Sequence, residues 1–103
     1  YELGLVEAIS IPQTECFEGA LRFARAEGIV PAPEPTHAIA AAVREAMACK
    51  ESGEEKVILT ALCGHGHLDL AAYETFLTGQ MLDLDLPDSA IQEAMKNIPT
   101  IAD

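Results

Sequence analysis

The residues best suited to chemistry gather in one short stretch, Leu62-Cys63-Gly64-His65-Gly66-His67-Leu68-Asp69. It combines a thiol, two imidazoles, a carboxylate and two glycines, and several readings of it are open. Gly64-x-Gly66-x-x-Asp69 between a strand and a helix comes close to a dinucleotide-binding turn. Its third position is an acid, which would repel a pyrophosphate at a helix N-terminus. No second strand carrying a ribose-binding acid follows it. Cys63, His65 and His67 alternate, so an extended backbone would turn all three to one side as zinc ligands, with His37 as a fourth. The intervening glycines argue against that extended geometry. Cys63 at a strand end could also serve as a nucleophile with His37 or His65 as its base, although nothing in the spacing fixes their geometry. A further pair is Cys63 with Glu34, which lies in Pro31-Ala32-Pro33-Glu34-Pro35. Alternating prolines restrict the residues before them and present Glu34 on stiff backbone. On pattern alone, the better reading of each of these groups is a satisfied structural residue.

The elements that must position these groups follow from hydrophobic spacing. Val6–Ile11 reads as a short strand, halted by Pro12. Phe17, Ala20, Leu21 and Ala24 recur on one face of an amphipathic helix that Gly28 ends. Ile39, Ala42, Val43, Ala46 and Met47 mark a second helix, with Pro35 in its first turn and Gly53 closing it. Residues 50–56 form a polar surface loop. Val57–Leu62 is an unbroken apolar run, the signature of a strand covered on both faces. Gly64 and Gly66 allow positive φ or close backbone approach. Asp69 is placed to cap a third helix from Leu70 to Thr78. Residues 83–87 are a linker, and Pro87 opens a last helix, with Ile91, Ala94, Met95 and Ile98 on one face, that Pro99 stops. The expected order is strand, helix, helix, strand, helix, helix. Two strands make a poor sheet by themselves, so a larger sheet is expected elsewhere.

Composition narrows the function classes. The 103 residues suit one small domain or a piece of a larger one. A net charge of −11 argues against nucleic acid and against an anionic membrane surface as partners. It reads best as a solvated acidic surface. Cys16, Cys49 and Cys63 are scattered and odd in number, which fits a reducing, cytoplasmic setting. No apolar run approaches the roughly 20 residues of a membrane span, and no signal peptide is visible. The chain starts at Tyr1 and runs straight into structure, as a chain entered midway would.

Two segments carry a family resemblance. Glu27-Gly28-Ile29-Val30-Pro31-Ala32-Pro33-Glu34-Pro35-Thr36-His37-Ala38-Ile39 resembles the E-G-I-x-P-A-x-E-x-x-H-A segment of tryptophan synthase beta chains. Leu62 to Asp69 is similar to that family's L-S-G-x-G-x-x-D turn. Pro33 before Glu34 and His65 after Gly64 are closer to the second beta-chain subtype. So are Glu7-Ala8, Pro12-Gln13 and the tail from Leu86-Pro87-Asp88 to Asn97-Ile98-Pro99. The resemblance covers essentially the whole chain.

It implies an α/β fold: the C-terminal piece of a three-layer, fold-type-II enzyme dependent on pyridoxal 5′-phosphate, with helices packed on a small, partly parallel sheet. Residues 1–82 would belong to the large domain, and 83–103 would form a linker and C-terminal helix. The implied reaction makes L-tryptophan from L-serine and indole by β-replacement. Serine deamination or another β-substituted amino acid is the variant reading. A non-catalytic interaction module derived from such an enzyme is the alternative from a different class.

The resemblance also assigns residues. Cys63 matches the family's serine that hydrogen-bonds the pyridine nitrogen, and Glu34 the glutamate beside that edge of the ring. Gly64 and Gly66 match the turn that lets backbone pass close to the ring, and His37 matches a histidine read as structural. Cys63 departs from serine, and a thiol is the weaker donor. Glu34, Cys63 and Gly64 are thus the expected cofactor contacts, and no residue here is expected to be catalytic or to bind metal. The family's Schiff-base lysine follows a histidine, whereas Lys50, Lys56 and Lys96 do not. The family's glycine-rich phosphate cradle does not occur here either. The segment alone is therefore expected neither to hold the cofactor covalently nor to catalyse. Its expected partners are the remainder of the beta chain, a second copy in a parent homodimer, and an alpha chain. As a segment, it is expected to self-associate through exposed apolar faces.

Overall fold

The computed structural model describes residues 1–99. Its elements are α1 (Gln13–Glu27), α2 (Pro33–Ser52), a 3-10 turn (Gly66–Leu68), α3 (Leu70–Leu77) and α4 (Asp88–Met95). Each long helix starts at proline and stops at glycine. Pro12 is the N-cap of α1, and Gly28 closes it at φ 71° by donating its N–H to the Ala24 carbonyl. Pro33 seats the first turn of α2, and Gly53 ends it at φ 75° in the same way. Pro35, the third residue of α2, lies in its first turn as predicted, and Pro33 opens that turn because its φ suits a helix start.

The core lies where α1 meets α2 and α3. Phe17, Ala20 and Tyr73 are buried together, with Leu21, Val30, Ala72, Phe76 and Met81 packed around them. Phe17 meets the Tyr73 ring edge-on at 4.9 Å and stacks on Phe76 at 5.6 Å. A second cluster joins Ile11, Cys16 and Ala40. Gly19 lets the two helix backbones approach, since a Cβ there would stand 3.6 Å from the Ala40 backbone. On α2 only the first half of the predicted face is covered: Ile39 is buried, whereas Met47 is half exposed.

The two predicted strands are not formed among the described residues, and the helices pack on no sheet there. Val6–Ile11 and Val57–Leu62 carry no strand assignment. Only an isolated antiparallel bridge, Pro31 to His65, is present among the described residues. A strand needs a neighbour to take its N–H and C=O groups, and neither segment has one here. Ile58 lines an apolar hollow with Phe23, Ile39, Ala42, Val43 and Ala46. Val57 and Leu59 stand almost wholly in solvent, at 99% and 95% exposure. These open arms explain a radius of gyration of 16.4 Å, against about 13 Å for a compact domain of 100 residues. The end of the 83–103 segment lies outside the described residues.

Candidate functional site

The stretch Cys63–Asp69 is held in place by the proline turn that carries Glu34. Gly66 donates its N–H to the Val30 carbonyl at 2.8 Å, and Ala32 donates to the Gly64 carbonyl at 3.3 Å. The Tyr73 hydroxyl closes the arrangement by donating to the Pro31 carbonyl at 2.6 Å. Burial pushes the Tyr73 phenol up from its ordinary range, and the Asp69 carboxylate adds to the shift, so the phenol keeps its proton for that bond. Two segments some thirty residues apart in sequence are thereby joined by main-chain hydrogen bonds.

The two glycines do different work. Gly64 adopts φ 96°, which side chains with a Cβ rarely adopt. Gly66 has no positive φ and is needed for space. A Cβ there would fall 2.5 Å from the Pro31 carbonyl oxygen and 2.8 Å from Val30. Its close approach is therefore to the protein's own proline turn rather than to a ligand. Asp69 also differs from expectation: its side chain caps nothing. Its main-chain carbonyl instead accepts from Ala72 and Tyr73. A residue shared by a 3-10 turn and the following helix satisfies the helix start through its backbone, leaving the carboxylate unused.

Glu34 sits in the first turn of α2, exposed, at the end of the helix that favours negative charge. Cys63 is exposed and is a free thiol. The structure therefore joins the segments bearing Glu34 and Cys63 and leaves both side chains open to solvent. It does not gather the zinc set. Among the described residues no three of His, Cys, Asp and Glu come together to hold a metal ion. His65 and His67 instead stack ring on ring at 4.1 Å, and His65 Nδ1 accepts the His67 N–H. The nucleophile reading fares no better. The imidazole of His37 is engaged with a different cysteine, Cys16, whose sulfur lies 3.2 Å from His37 Nδ1.

That pair was not legible in the sequence. Cys16 lies on α1 and His37 on α2, twenty-one residues apart. The one available cue was the position of Cys16 beside Phe17 on a helix predicted to be buried on that side. Burial pushes the Cys16 thiol up from its usual range, with the Thr36 hydroxyl opposing the shift. A buried thiol of this kind is an unreactive hydrogen-bonding group.

The geometry brings together an exposed thiol just after the extended run and an exposed carboxylate in the first turn of α2, on segments clamped to each other at the edge of the helical core. Relatives identify the family to which the chain belongs. The chain is 59% identical over 83 residues to the tryptophan synthase beta chain 2 of Aquifex aeolicus, a match covering 81% of this chain and 19% of that protein. It is 53% identical over 79 residues to the tryptophan synthase beta chain 2 of Methanosarcina acetivorans. That match covers 77% of this chain and 18% of the relative. Against the beta chain 2 of Pyrococcus furiosus it is 47% identical over 96 residues, covering 93% of this chain and 22% of the relative. No protein-family model matches the chain. At these identities the chain belongs to the tryptophan synthase beta-chain family, as a segment spanning about a fifth of the length of the relatives it matches.

Proposed function

We propose that this chain is the C-terminal part of a pyridoxal-phosphate-dependent tryptophan synthase beta-type enzyme, and that it supplies the contacts to the pyridine edge of the cofactor. The observation that carries this reading is the clamp between Val30–Ala32 and Gly64–Gly66, which ties the loops of Glu34 and Cys63 into one unit. The donor set fits such a ring edge. An exposed thiol can donate to a ring nitrogen, and an exposed carboxylate stands in the first turn of α2, directly after the clamped segment.

When bound, the cofactor supplies the electron sink for replacing the β-substituent of an amino acid. This chain's own residues hold and tune that ring. Cys63 donates its S–H to the ring nitrogen, more weakly than a hydroxyl would. Glu34 sets the charge beside the same edge. Gly64 and Gly66 keep the loop in the shape that presents Cys63, and Tyr73 fixes the loop's neighbour through Pro31. The open run Val57–Leu62 pairs with strands contributed by the rest of the beta chain, completing the sheet of an α/β large domain that includes residues 1–82. Residues 83–103 are the linker and terminal helix. The segment alone is inactive, because the lysine and phosphate cradle come from elsewhere in the enzyme. The whole enzyme works in the cytoplasm as a homodimer, with an alpha chain as a further partner. Among the described residues, no helix is long and apolar enough to cross a membrane.

Two Cys63 variants of the whole enzyme test this reading. Cys63→Ser restores a stronger donor, and Cys63→Ala removes the donor. Both should shift the cofactor's absorption bands and alter the ratio of tryptophan formed to serine deaminated, in opposite directions. Unchanged spectra in both variants would remove Cys63 from the cofactor and with it the proposed role of this loop.

A further inference from the structure

The start of α1 has no cap of its own. Pro12 stands at the N-cap position, and its side chain accepts no hydrogen bond there. Pro12 also lacks an N–H, so Glu15, at the third helical position, has nothing to reach back to as the partner of a capping box. Arg44 on α2 donates to both Glu15 oxygens instead. The first-turn N–H groups of a helix still need an acceptor, and here one comes from 69 residues away. After α3 the chain turns at Gly79, with φ 70°, and Met81 packs against the cluster of Phe17, Ala20 and Tyr73. Leu82 and Asp83 then meet the first turn of α1. Gln13 Nε2 donates to the Leu82 carbonyl at 2.7 Å. The Thr14 N–H donates to Asp83 Oδ1 at 3.0 Å, and the Thr14 hydroxyl donates to Oδ2. The carboxylate thus sits at the helix end that favours negative charge, where its hydrogen bonds are charge-assisted. Past Asp83 the chain opens to solvent. Leu84 and Leu86 are exposed, and none of the described residues of α4 is buried.

We propose that Leu82–Asp83 is a strap in which Asp83 acts as the N-cap that α1 lacks, so that docking of the linker and closure of the first turn of α1 are one event. The coupling runs both ways. A freed linker uncaps α1, and a frayed first turn releases the linker. Two side chains of α1, Gln13 and Thr14, hold two successive residues of the linker, so the strap engages or releases as a unit. Nothing in it depends on a bound cofactor.

Hydrogen exchange of the whole enzyme, read at single amides, tests the strap. The Thr14 amide is the second of its helix and has no acceptor within that helix, so its protection reports on Asp83 alone. It should exchange slowly in the unmodified enzyme. Asp83→Ala should speed it by about 2- to 30-fold, the span of a lost N-cap. Asp83→Asn keeps an acceptor oxygen and should retain most of the protection. Gln13→Ala removes the neighbouring bond and should also speed exchange at Thr14. The Ala32 amide, bonded to the Gly64 carbonyl, is the control and should not change. A Thr14 amide that exchanges freely in the unmodified enzyme overturns the proposal, as does a rate that Asp83→Ala leaves unmoved. Unchanged Thr14 exchange in Gln13→Ala would reduce Asp83 to a local cap and overturn the strap. Equal acceleration at Ala32 would mean general loosening and overturn it as well.

Discussion

The junction of α1, α2 and α3 and the extended run Val57–Leu62 are both strongly apolar, yet only the first is self-contained. At the junction, Phe17, Ala20 and Tyr73 cover one another. In the run, alternate side chains face α2 and the others, Val57 and Leu59, face solvent. The contrast separates what each kind of element requires. A helix satisfies its backbone internally and needs only one face covered. A strand needs neighbours for its backbone and, when apolar throughout, cover on both faces. The site sits at the boundary between the two regions, just beyond the end of the extended run and clamped to the packed one. It is tied by main-chain hydrogen bonds to the helical side, and among the described residues its other side stands open.

The sharpest break of this comparison is a pair of truncations. In this segment by itself, Phe17→Ala should cost about 3–5 kcal/mol in denaturant unfolding, whereas Leu59→Ala, at 95% exposure, should stay within about 0.5 kcal/mol. Equal effects would mean that the extended run is as well packed as the helices. Gly66→Ala tests the boundary. Its Cβ would collide with the Pro31 carbonyl, so it should destabilise by about 1–3 kcal/mol and speed hydrogen exchange at the Ala32 amide. Protection unchanged at that amide would dissolve the clamp. The smallest effect concerns pH. The Thr14 hydroxyl and then the Thr14 N–H hold the Asp83 carboxyl below the usual carboxylate range. A folded value below the unfolded one adds stability that is present above the unfolded range and fades as pH falls through the folded one. Asp83→Asn should therefore flatten the acid limb of the stability profile slightly, and a profile identical to that of the unmodified protein would deny the contact a role.

Helices and the ends of the two long ones were legible in the sequence, because they depend on neighbours three and four residues away, whereas α4 stops at Met95, short of Ile98 and Pro99. Gly28 and Gly53 end α1 and α2 as their spacing predicts. The strands were legible only as patterns. Val57–Leu62 carries the composition of a buried strand, but a ladder is a property of two segments, and among the described residues the run has no partner. Glu34, Cys63 and Gly64 could be singled out from rigid-loop chemistry and from the family resemblance. That Gly66 makes room for Pro31, and that Cys16 meets His37, depends on how α1, α2 and the loop pack. No spacing along the chain encodes such tertiary contacts.

The most direct test of the central claim is a crystal structure of the whole enzyme with its cofactor bound. The account predicts Cys63 Sγ within hydrogen-bonding distance of the pyridine nitrogen, Glu34 beside the same edge, and the Gly66 to Val30 bond intact. A ring nitrogen met by another side chain, with Cys63 turned away from it, would contradict the account.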